Sequence, residues 1–65
     1  MNKEKLEEEM QSKNISKTEM CALLGISRSA FYRKCNGKSE FTLSEMQKIL
    51  DVLNLNTPKG IFFVN

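Results

Sequence analysis

Histidine and tryptophan are absent from this chain of 65 residues, cysteine occurs twice and proline once. Without histidine the chain lacks the side chain best suited to acid–base work near neutral pH and a common zinc ligand. Cys21 and Cys35 have neither the paired spacing nor the companion ligands of a structural zinc site. Both read as small core thiols, and neither a metal nor a cofactor is expected. There is no glycine-rich phosphate loop and no nucleophile beside an evident base, so an enzyme is not expected either. Glu7, Glu8 and Glu9 are consecutive and point in different directions round a helix, which makes them a solvated face, not an acid–base pair. No apolar run approaches the roughly 18 residues that span a bilayer. No charged-then-apolar leader is visible, and the expected location is the cytoplasm.

What is present is an ordinary balance of 40% apolar and 28% charged residues, enough to fold but not to build two cores. A single domain over residues 1–65 is expected, burying only about 60% of the surface that the unfolded chain exposes. The net charge of +2 is small, but it is unevenly placed. Residues 1–12 carry Lys3 and Lys5 against Glu4, Glu7, Glu8 and Glu9, a balance of −2. Residues 13–38 carry Lys13, Lys17, Arg28, Arg33, Lys34 and Lys38 against Glu19 alone, which gives +5. Residues 39–65 return to −1, with Lys48 and Lys59 against Glu40, Glu45 and Asp51. Positive charge gathered on one stretch is the footprint that phosphate requires.

Apolar periodicity predicts an all-α fold, a compact bundle of four to five short helices. Leu6 and Met10 give a narrow stripe on a first helix from Asn2 to Lys13, which Asn14 ends. Ser16 with Glu19 forms a capping box for a second helix whose Met20, Cys21 and Leu24 face inward. Gly25 stops that helix, since glycine accepts the left-handed backbone without steric cost. Ile26 turns inward as a plug, and Ser27 caps a third helix over Arg28 to Cys35 that buries Phe31 and Cys35. Asn36-Gly37 closes it. Thr42 and Glu45 form a second capping box, followed by Leu43, Met46, Ile49, Leu50 and Leu53 at helical spacing on a buried face. Thr57-Pro58 is a possible start of a fifth turn, although Ile61 to Val64 also suits extended chain.

The third helix places Arg28, Ser29, Tyr32 and Arg33 opposite its buried side, where a helix lying in a major groove presents side chains to base edges. These four are the expected base contacts. Lys17, Ser27, Lys38 and Thr42 stand at helix starts and loop edges and are the expected phosphate contacts.

The ordered set Ser16, Glu19-Met20, Ala22, Gly25-Ile26-Ser27, Phe31, Asn36-Gly37 and Phe41-Thr42-Leu43 resembles the helix-turn-helix domains of phage Cro and repressor proteins. The likeness runs from Leu6 to Leu53, with Cys21 at a position that is usually alanine. The resemblance implies a small Cro-like or stand-alone repressor in a bacterial or phage-infected cell, binding double-stranded operator DNA as a homodimer; held by a small apolar patch, that dimer is expected to be weak and to form fully only on DNA. No small-molecule ligand and no membrane partner are implied. The dimer surface is expected at Val52, Leu55, Ile61, Phe63 and Val64, apolar residues far in sequence from the basic helices; for Ile61 and Phe62 the alternative is that they fold back to close the monomer's own core. The alternative is a helical protein-interaction module that does not bind DNA, which would have no reason to gather the basic residues round one hinge.

Overall fold

The computed structural model describes residues 1–57 and 60–62. Four helices follow in order: α1 (Lys3–Ser12), α2 (Lys17–Leu24), α3 (Arg28–Cys35) and α4 (Leu43–Val52). Each begins on a residue whose side-chain oxygen accepts a backbone N–H of the first turn: Asn2, Ser16, Ser27 and Thr42. Ser16–Glu19 and Thr42–Glu45 are complete capping boxes, with the glutamate returning to the cap's own N–H at 3.1 and 2.9 Å. Helices of eight to ten residues are too short to hold themselves in water, so these caps and the shared core carry them.

The four ends are built alike. Asn14, Gly25, Gly37 and Asn54 all adopt the left-handed backbone, with φ of 56°, 71°, 81° and 56°. The N–H of the following residue then reaches back five positions. Ile15 donates to the Met10 carbonyl, Ile26 to Cys21, Lys38 to Arg33 and Leu55 to Leu50, at 2.9 to 3.1 Å. This is the Schellman closure, which satisfies carbonyls that the helix itself leaves free. A Cβ on Gly25 would meet nothing within 4 Å, so φ alone, and not crowding, asks for glycine there. Its usual hydrophobic partner follows at three of the ends, since Ile15, Ile26 and Leu55 all pack on the core. After Gly37 the corresponding residue is Lys38, and it is exposed.

The core joins one face of every helix. Leu6, Met20, Phe31, Ile49 and Leu53 are almost wholly buried, and α2 packs against both α3 and α4. Both cysteines are free and buried in it, as their reading as core thiols expects, and burial pushes the Cys35 thiol up. Phe41 bridges the Phe31 and Phe62 rings edge to face, at centroid distances of 6.0 and 5.7 Å. That contact and a 2.6 Å bond from the Asn2 N–H to the Ile61 carbonyl bring the tail back onto α1 and the α3–α4 loop.

Three expectations change here. Ile61 is 1% exposed and closes the monomer's own core, so it is not a free dimer surface. Val52 and Leu55 are half-buried against the same core, Leu55 because it completes the α4 closure. Leu43, expected on the buried face of α4, is 80% exposed. It is the first helical residue, and side chains lean toward a helix's N-terminus, so it projects past the end of the core. No fifth helix forms among the described residues, where Gly60 to Phe62 make a turn. Pro58, Phe63 and Val64 lie outside the described residues.

Candidate nucleic-acid interface

Helix α3 is about 12 Å long, the width of a major groove. At 3.6 residues per turn, Arg28, Tyr32, Ser29 and Arg33 occupy about 140° of its circumference; Phe31 is buried beyond the Arg28 edge of that arc, and Cys35, nearly in phase with Arg28, is buried two turns further along the axis. All four of the outward residues are exposed. Ser27 fixes where the helix starts: its Oγ accepts the Ala30 N–H at 3.1 Å, and its carbonyl accepts the Phe31 N–H at 3.0 Å. The hydroxyl proton of Ser27 is left to donate outward, as is that of Thr42, whose Oγ1 accepts from the Glu45 N–H. Both hydroxyls are therefore donors at helix starts, which suits phosphate oxygen.

The sequence brings six cations to residues 13–38, and the structure divides them into two sets. Lys13 pairs with Glu9 at 2.9 Å and Lys34 with Glu45 at 2.5 Å, and Lys17 pairs with Glu7 at 3.0 Å. Arg28, Arg33 and Lys38 have no side-chain hydrogen bond or ion pair among the described residues. Lys34 is drawn off the surface because its ammonium lies over the Phe41 ring, 5.8 Å from the centroid, and is paired there with Glu45. Burial pushes the Glu45 carboxyl up, but its bonds to Lys34 and to Thr42 outweigh that and hold it below the usual carboxylate range. It stays ionised at neutral pH and keeps Lys34 in place.

Lys17 is placed differently from the other expected phosphate contacts. It lies on the same side of α2 as Met20, Cys21 and Leu24, so its stem crosses the edge of the core instead of standing free. Its ammonium is 5.3 Å from the centroid of the Tyr32 ring and beside Glu7, whose hydrogen bond holds it above its ordinary value. The structure thus joins Lys17 to Tyr32 on one surface. Lys38 stands alone at the far end of α3. The Glu7 partnership was not legible in a run of three glutamates; only helical phase separates Glu7, on the α2 side of α1, from Glu9, which pairs with Lys5 and Lys13 on the other.

Two short helices joined through Gly25-Ile26-Ser27, the second presenting arginines with no partner among the described residues, define a helix-turn-helix DNA-binding protein. The chain belongs to the family of Cro/C1-type HTH DNA-binding domains, whose family model matches residues 5–62. No curated protein and no solved structure gives a significant match. The protein is a DNA-binding regulator of that family, and its partner is double-stranded DNA. Among the described residues no helix is long and apolar enough to cross a membrane.

Proposed function

We propose that the protein is a small transcriptional repressor of the Cro kind that reads an operator by laying α3 in the major groove. The observation that carries this reading is the division of the cations. Those buried or turned toward the protein's own carboxylates are paired, whereas Arg28 and Arg33 on α3 and Lys38 just after it have no partner among the described residues. A protein-interaction module would have no reason to leave this set open on one helix. Arg28 and Arg33 supply forked donors that match the two acceptors on guanine, with Ser29 and Tyr32 beside them. Ser27, Lys38, Thr42 and Lys17 hold the phosphate backbone on either side and set the register of the helix. A prophage or phage genome in a bacterial cytoplasm is the setting that such a repressor fits, and two copies acting on a palindrome supply the reading length that one short helix lacks.

Binding to a random-sequence duplex, titrated from about 50 to 200 mM salt, tests the reading, because each phosphate contact adds roughly 0.9 to the slope of log affinity against log salt. Lys38→Ala is expected to weaken binding to every sequence and to lower that slope by about one unit. Affinity that does not change with salt overturns the proposal, and an unchanged slope in Lys38→Ala removes that residue from the interface.

A further inference from the structure

Glu7 is the carboxylate of α1 that reaches across to the helix pair. Its Oε2 lies 3.0 Å from the Lys17 Nζ, and the two side chains are 41% and 39% exposed, so water and salt reach the pair from outside. Lys17 is held at the same time over the face of Tyr32, a residue of the outward side of α3. An open groove of about 400 Å³, lined by Glu7, Gln11, Asn14, Ser16 and Lys17, runs beside the pair and gives both side chains room to move. Glu9, by contrast, bonds to Lys5 and Lys13 of its own helix and its C-cap, and Glu8 is exposed with no such partner among the described residues.

We propose that Glu7 is an internal competitor for DNA: in the free protein it occupies Lys17, and binding requires that lysine to exchange a carboxylate for a phosphate. The inference rests on the reading of Lys17 as a phosphate contact. A phosphate taking Lys17 at hydrogen-bond distance comes within about 6 Å of a carboxylate still beside the same ammonium, well inside the screening length of about 10 Å at 0.1 M salt. The freed carboxylate must then be neutralised by a cation from solution, which offsets one that the DNA releases. Glu7 therefore lowers affinity for every duplex by a similar factor and flattens the dependence on salt. The base contacts of α3 are untouched, so the protein's preference for its site over random sequence is kept while its hold on random sequence is weakened.

Glu7→Gln keeps the shape of the side chain and removes its charge. Glu8→Gln makes the same change in net charge on the neighbouring residue. With a labelled random duplex titrated at several salt concentrations, Glu7→Gln is expected to bind about two- to fivefold tighter at 0.1 M salt, the range of an exposed ion pair. The salt slope is expected to steepen by up to about one unit. Glu8→Gln is expected to gain less than about twofold, as is Glu7→Gln placed in a Lys17→Ala background. Equal gains in Glu7→Gln and Glu8→Gln, or in the presence and absence of Lys17, reduce the effect to overall charge and overturn the proposal. Weaker binding by Glu7→Gln overturns it too, since Glu7 would then be positioning Lys17 for DNA. A Lys17→Ala protein that binds with unchanged affinity and slope removes Lys17 from the interface altogether. A Lys17→Ala protein that binds weakly, with Glu7→Gln no tighter than wild type, removes only the competition.

Discussion

Arg28 and Arg33 differ from every lysine of residues 13–38 except Lys38 in having no partner among the described residues, and this sets how each substitution is to be read. Replacing Arg28 or Arg33 with Ala breaks no side-chain bond among the described residues, so the fold is expected to change in stability by no more than about 0.5 kcal/mol. On the cognate operator each loss is expected to be about 1–3 kcal/mol, with a much smaller loss on random duplex, if the guanidinium reads a base. Equal losses on the two DNAs would assign the residue to phosphate instead. Leu43 gives a test of a different kind. A leucine truncated in a core loses about 2–5 kcal/mol, whereas Leu43 at 80% exposure is expected to lose less than about 0.5 kcal/mol on going to Ala. A thermal melt measures it, and a core-sized loss would put Leu43 back on the buried face that its spacing first indicated. Phase alone could not separate Leu43 from Leu50, because both lie on nearly the same side of α4. What differs is height along the axis: Leu43 stands in the first turn, above the last layer of side chains that could cover it.

At the scale of the element, most of the fold was legible because both ends of each helix are written in a few residue types. The bounds of α3 and the capping boxes of α2 and α4 follow from Ser16, Gly25, Ser27, Gly37 and Thr42, whose side chains or conformational freedom act within four residues of where they stand. The C-terminal turn was less legible, since its position depends on Ile61 finding a vacancy between helices that are distant in sequence. The candidate surface was likewise legible in residue type but not in pairing; nothing in the order of residues tells Lys34 from Arg33, yet one faces Glu45 and the other solvent. The Lys34–Glu45 contact ties the end of α3 to the start of α4, and it makes a pH-dependent prediction. The Glu45 carboxyl lies below its usual range in the folded protein, so its contribution to stability is complete at neutral pH. That contribution is lost as pH falls below the usual carboxylate range and the group takes up a proton. Glu45→Gln retains an oxygen that can return to the Thr42 N–H but carries no charge for Lys34. Melting temperature is therefore expected to fall less steeply between pH 6 and about pH 3 in Glu45→Gln than in wild type, with the variant less stable at pH 6. Parallel curves would mean that the pair contributes nothing measurable.

For the whole molecule the open question is how many copies read one site. A reading helix of the length of α3, eight residues, spans only a few base pairs, and each correct pair would supply about 1–3 kcal/mol of discrimination, too little against a genome of competing sequence. Two copies related by a two-fold axis double the reading and require a palindromic operator whose half-sites lie about 10 base pairs, one helical turn, apart. The surface for such pairing is narrower than the apolar composition of the tail implies. Ile61 is given over to the monomer core and Leu55 to the closure of α4, which leaves the exposed parts of Val52 and Phe62, with Phe63 and Val64 beyond the described residues. A contact made of so few side chains falls well below the roughly 1,200 Å² of a stable interface, so the free protein is expected to sediment as a monomer at micromolar concentration. On DNA the two copies are held at millimolar effective concentration, where a weak contact suffices for cooperative binding. Gel shifts on a whole operator are accordingly expected to pass almost directly from free DNA to a 2:1 complex. A half-operator is expected to bind one copy at least tenfold more weakly. Equal affinity and a 1:1 complex on both DNAs would show that one copy is the working unit, and the reading length would then have to come from contacts beyond α3.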